Sequence, residues 1–170
     1  MKKNVVKYIS IVILVFAFNF INAQTNFGYI NTDLVLSQMT ETKEVGDRLQ
    51  MLGESYDQEF KTIYEEYDAK KKKYESEAST ISESINRVRA QELLSLEEGM
   101  QQFRQNASND MSLKQREFMA PVIEKMNRAI EEVAKSKNID FVFDTSQRNL
   151  AYSNEVYNLI SAVKEKLGIK

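Results

Sequence analysis

From residue 41 to residue 137 the apolar side chains recur in a narrow stripe, and most of what lies between them is charged or polar. The stripe has a period. Val45, Tyr56, Tyr67 and Ala78 are spaced at equal intervals of eleven, and so are Leu52, Ile63, Tyr74 and Ile85. Leu49 and Phe60 share the interval. Further on, Leu96, Ala107, Phe118 and Ala129 form one series, and Met100, Met111, Val122 and Val133 another. Eleven residues in three turns is about 3.67 per turn, close to the natural value of an α-helix. Helices of this kind pair over long distances with little supercoil. An ordinary coiled coil with stutters accounts for the stripe as well, since Lys71 and Lys114 interrupt it. Helix formers dominate, with only Gly46, Gly53, Gly99 and Pro121 as breakers.

One helix over this span would run roughly 140 Å. Two antiparallel arms of about half that length are the expectation, because Ser76, Ser79, Thr80, Ser82 and Ser84 cluster midway. Ser and Thr favour caps and turns over helix interiors. The tip is expected near 79–90. The residues expected to pack arm on arm are Val45, Leu52, Tyr56, Phe60, Ile63, Tyr67, Tyr74, Met100, Met111, Phe118 and Val122. Pro121 lacks an N–H and is expected to kink the returning arm.

The pattern changes at both ends. Phe27-Gly-Tyr-Ile30 reads as a strand, followed by Asn31 or Thr32 as the cap of a short helix. Phe141-Val-Phe143 and Leu150-Ala-Tyr152 read as two further strands, joined by the polar turn Asp144–Asn149. Ser153 or Asn154 is then expected to cap a final helix carrying Val156, Leu159, Ile160, Val163 and Leu167 on one side. The expected body core is Phe27, Tyr29, Phe141, Phe143, Leu150, Tyr152, Val156, Ile160 and Val163. A hairpin would bring these end segments together, which a sheet drawn from both termini requires. The fold class is therefore α+β: residues 24–40 and 138–170 form a body, and residues 41–137 form an arm.

Residues 1–23 are expected to be no part of that fold. Lys2, Lys3 and Lys7 precede an apolar run from Tyr8 to Ile21, and Asn22-Ala23 close it. This is the three-part order of a secretory signal peptide. The run is shorter than the ~20 residues of a spanning helix. An uncleaved anchor is the alternative.

Removing residues 1–23 leaves 20 basic against 25 acidic residues, a charge of −5. That balance argues against nucleic acid as a partner. The chain has neither Cys nor His. Disulfides, His–Cys zinc sites and His-containing triads are excluded, and no phosphate-binding loop is present. Asp33, Asp140 and Asp144 read as caps and strand ends. No enzyme and no cofactor are expected. Three short strands and a small helix make a small core with open sheet edges, which self-association would cover.

The segment FGYINTDLVLSQM, Phe27 to Met39, together with IDFVFD, Ile139 to Asp144, and LAYSN, Leu150 to Asn154, resembles the Skp or OmpH-like family of periplasmic chaperones. The likeness extends over the whole chain after residue 23. It implies a homotrimer with a small β-barrel-like trimerisation body. Three helical hairpins would project from it around a cavity that holds unfolded outer-membrane proteins without ATP. One departure concerns charge. The family's arms are often basic, whereas here Thr40–Ser84 carries 12 acids and 7 bases, and Ile85–Lys137 carries 8 acids and 9 bases. The one basic concentration is Lys70, Lys71, Lys72 and Lys73. With Tyr64 and Met119 these are the candidate client contacts, and the lysines also suit transient contact with a membrane surface. As solvated helix-face lysines they would have no such role. The rival to the chaperone reading is an envelope spacer or tether.

Overall fold

A computed structural model describes residues 25–147 and 150–169; the expected signal peptide lies outside the described residues. Strand β1 is Phe27–Ile30, helix α1 Thr32–Gln38, α2 Thr40–Glu77, α3 Glu83–Ser136, strand β2 Phe141–Asp144 and α4 Ile160–Leu167, with a single 3-10 turn at Glu155–Tyr157.

The arm is an antiparallel pair, α2 of 38 residues and α3 of 54. They meet at the Ser/Thr-rich turn 78–82. Ser82 caps α3 by accepting from the Ile85 N–H, and Glu83 follows at the positive end of the helix dipole. Asn86 Nδ2 closes the turn by donating to the Ala78 carbonyl at 2.8 Å. No Gly is needed because Ala78, which ends α2, stays in the right-handed region.

The sheet corrects the expected topology. It has two strands, β1 and β2, which run parallel, with Phe27 opposite Phe141 and Ile30 opposite Asp144. Two strands in one plane cannot close, so the sheet is open and is no barrel. Leu150–Tyr152 forms no strand, and Tyr152 is 84% exposed. The physical reason lies in the preceding turn. Asp144 accepts from both the N–H and the hydroxyl of Ser146, at 3.0 and 3.1 Å, and Leu150–Tyr152 makes no pairing with β2. β2 instead finds its partner at the other end of the chain. Asp140 N donates to Asn26 O at 2.9 Å, and Thr145 N to Ile30 O at 2.8 Å.

The final helix also starts later than the sequence suggests. Asn154 caps only the 3-10 turn, through the Val156 N–H. Asn158 then bridges to Tyr29, and Leu159 N donates to Tyr29 O at 2.9 Å. These bonds to β1 hold the backbone extended at Asn158, so α4 begins at Ile160, whose N–H is capped by the Asn158 side chain. Gly168 ends it in the left-handed region at φ 73°, where a Cβ would be strained.

The core sits where body and arm base meet. Ile30, Val35, Met39 and Leu159 pack with Val163 and with Val45, Val122, Met126, Ala129 and Val133 from the arm. Of the expected body core, Tyr29 and Val163 are buried and Ile160 is half-buried. Phe27, Phe141 and Phe143 are 48, 57 and 52% exposed, and Leu150 and Val156 are exposed with Tyr152. The reason is alternation. In a two-stranded sheet only one face can lie on the core. Val142 turns that way and is half-buried, which leaves the phenylalanines on the other face.

Candidate functional site

The arm changes character from base to tip. At the base α2 and α3 enclose Val45, Val122, Met126, Ala129 and Val133, all buried. Lys125 pairs with Glu41 across the helices, which holds the Glu41 carboxyl below its ordinary range. Arg48 lies over the Phe118 ring at 5.9 Å. Beside these side chains is a cavity of about 300 Å³, with Val45, Phe118, Pro121 and Val122 on its walls and Arg128 at its rim. Pro121 is exposed within a continuous α3. Met119, next to it, is half-buried against the core.

In the middle the contacts are aromatic. Tyr56 meets Phe103 edge-on at 6.1 Å, and Phe60 lies 6.3 Å from the same ring. Arg104 covers the other side of Phe60 at 4.1 Å, a cation–π contact. Tyr56 donates to Asp110 at 2.7 Å, and that bond raises the Tyr56 pKa. Leu52, Ile63, Met100 and Met111 are half-buried along the seam. Gly53 leaves room for Met111, whose Cε would lie 3.9 Å from an added Cβ.

Beyond Tyr67 the seam is polar. Tyr67 is buried and donates to Glu97, which pushes its phenol up to about 12. Glu92 on α3 accepts from Lys70 Nζ at 2.7 Å and from the Tyr74 hydroxyl at 2.6 Å. The Lys70 bond, then the Tyr74 bond, holds its carboxyl below the ordinary range. Arg89 donates to Glu77 at 2.6 Å and lies 4.5 Å over the Tyr74 ring. The sequence marks Tyr67 and Tyr74 as stripe residues, but it gives no sign that their hydroxyls find carboxylates on the other helix. Only the pairing register of α2 against α3 shows that.

The structure separates the four lysines. Lys70 is bound between Glu92 and Glu66, and Lys72 pairs with Asp68 at 2.6 Å. Lys71 lies 5.9 Å from the Tyr67 ring. Lys71 and Lys73 are exposed. Tyr64 is 51% exposed and leans on Tyr67 with 6.4 Å between ring centres. Other apolar side chains stand out singly on the arm: Met51, Val88, Leu94, Leu113 and Ile123.

The fold is thus a long helical hairpin on a small open-sheet body, with apolar side chains exposed along the arm. The family model described as "Outer membrane protein (OmpH-like)" matches residues 26–167, and the chain belongs to that family. Its fold is similar to the crystal structure of a Caulobacter crescentus CB15 protein described as an OmpH-like outer membrane chaperone, at a TM-score of 0.74 and 16% identity over 85% of each chain. No curated protein sequence matches the chain. As a member of the OmpH-like, Skp-type family this protein is a periplasmic chaperone for outer-membrane proteins and not an enzyme.

Proposed function

We propose that the protein is an ATP-independent holdase that works as a homotrimer, exported with residues 1–23 as a cleaved signal peptide. Unfolded outer-membrane proteins would be held between the arms by many weak contacts. The observation that carries this reading is the arm surface. Met51, Tyr64, Val88, Leu94, Leu113 and Ile123 are exposed at separate points along the two arm helices. Scattered contacts of this kind bind extended chains broadly and release them without chemical work. Of the candidate client contacts, Tyr64, Lys71 and Lys73 are open to solvent, and Lys70 and Lys72 are engaged in ion pairs. Met119 contributes from the half-buried rim near Pro121.

Assembly is supported by the body. Phe27, Phe141 and Phe143 form one exposed aromatic face, and the two-stranded sheet has open edges. Three such faces turned together would bury the rings and set three arms around one space.

The test dilutes a urea-unfolded outer-membrane β-barrel protein into buffer without ATP, with and without this protein, and follows light scattering. Suppressed aggregation, with client and trimer eluting together, is the expected result. A stable elongated oligomer that leaves scattering unchanged would instead assign the arms to a spacer or tether.

A further inference from the structure

We propose that the distal third of the arm is a carboxylate latch, held shut by Glu77, Glu92 and Glu97, which opens when its central acceptor Glu92 is neutralised while the arm base stays closed. Three observations carry it. First, the buried residues of the arm helices are, among the described residues, Val45, Tyr67, Val122, Met126, Ala129 and Val133, so none lies beyond the Tyr67 level. Second, the side-chain hydrogen bonds that cross from helix to helix there all end on a carboxylate: Tyr67 on Glu97, Lys70 and Tyr74 on Glu92, Arg89 on Glu77. Asn86 adds one bond to backbone at the turn. Third, the three carboxylates come from both helices, Glu77 from α2 and Glu92 and Glu97 from α3, so each helix is held by the other's charge.

Apolar zippers and polar ladders respond to different conditions. Apolar burial at the base does not depend on ionisation and keeps α2 on α3 there even where the Lys125–Glu41 pair is lost. A hydrogen bond to a charged acceptor weakens when the acceptor gains a proton. The groups facing Glu92 are Lys70 and Tyr74 from α2 and Arg89 from its own helix, with Glu66 sharing Lys70. All the basic partners stay charged in acid. Glu92 gains a proton in acid, and neutralising it weakens the acceptor that Lys70 and Tyr74 share. Because Glu92 is held below the ordinary carboxylate range, its share of the latch is fully present above that range and is lost only as pH falls through the lower folded value. Opening there would widen the far end of the cage without loosening its base. That consequence rests on the holdase reading; the latch itself does not.

The test uses spin labels on the full assembled protein, which has no cysteine of its own to compete for them. One pair of labels is placed at Lys73 and Val88, the other at Met51 and Leu113. All four positions are exposed and outside the latch. In Glu92→Gln at neutral pH the distal pair should gain a longer-distance population, raised about fivefold over wild type, with the proximal pair unchanged. Lowering the pH of wild type well below the ordinary carboxylate range should reproduce this. Tyr74→Phe keeps the Lys70–Glu92 pair and should give a smaller distal change, which decides the matter if Glu92→Gln does not fold. Equal broadening at both pairs, or none at either, would overturn the latch. Neither result depends on client binding, so failure of the holdase reading is seen separately by light scattering.

Discussion

A Cβ added to Gly28 in β1 would lie 2.9 Å from Leu159 Cδ1 and 3.2 Å from Ile139 Cδ1. Leu159 is buried, so its side chain has little room to give. Gly28→Val is expected to cost about 2 kcal/mol through overpacking, and Gly28→Ala less. Chemical denaturation followed by circular dichroism checks it. The larger residue should lower the midpoint more than the smaller, and equal midpoints for both variants and wild type would refute the close approach.

The exposed ring of Phe27 lies 5.9 Å from that of Phe141 and 5.8 Å from that of Phe143. If this face joins copies, a charge in its centre must be desolvated on assembly. Phe141→Asp is therefore expected to yield a monomer that keeps its helical signal, because α2 and α3 do not rest on Phe141. Sedimentation velocity reads the mass, and far-ultraviolet circular dichroism reads the helix. A trimer that persists in Phe141→Asp would place the interface elsewhere.

Asp144 joins the end of β2 to the start of α1. It accepts from Thr32 Oγ1 at 2.7 Å, from Thr32 N at 3.3 Å, and from Ser146. Desolvation pushes its carboxyl up, and these hydrogen bonds together outweigh it and leave the group below its ordinary value. A carboxyl lowered in the folded state stabilises fully above its unfolded value of about 3.9, and that contribution fades as pH falls through the lower folded value. The melting temperature of wild type should therefore begin to drop as pH falls below about 4 and keep dropping through the lower folded value. Asp144→Asn should be less stable by about 1 kcal/mol at neutral pH, with a lower melting temperature there and a shallower drop in acid. Parallel pH profiles for the two proteins would remove Asp144 from the pH response.

The arm and the body were not equally legible in the sequence. An interval of eleven that persists through both halves of the arm is a strong signal, because each helix repeats it over many turns. Val45, Tyr67 and Val122, all on the stripe, lie buried between α2 and α3. The body offered only runs of three or four residues. Phe141-Val-Phe143 reads as apolar throughout, and nothing local shows that Val142 faces the core while both rings face away. Leu150-Ala-Tyr152 has strand composition, but a strand also needs a partner, and this segment pairs with neither open edge of the sheet. The buried Ile30 and Leu159 lie beside the residues chosen for the core. Their burial follows from the Leu159–Tyr29 hydrogen bond between chain ends 130 residues apart, which no local pattern contains.

Pro121 illustrates how a local rule meets packing. Proline in a helix interior removes one backbone bond and crowds the carbonyl four residues back. Here α3 runs through it unbroken, with Val122 buried beside it and Val45 and Phe118 across the cavity. The packing at the arm base therefore holds the helix against the cost of the proline. Pro121→Ala should restore the missing bond and stabilise the protein by about 1–3 kcal/mol. It should also narrow the distance distribution between labels at Met51 and Leu113 and leave the distal pair at Lys73 and Val88 as it was. A higher denaturation midpoint with narrower proximal distances would make Pro121 a point of flexing near the base, distinct from the carboxylate seam further out. A lower midpoint would mean that the ring itself packs against Val45 and Phe118 and that its loss outweighs the bond regained.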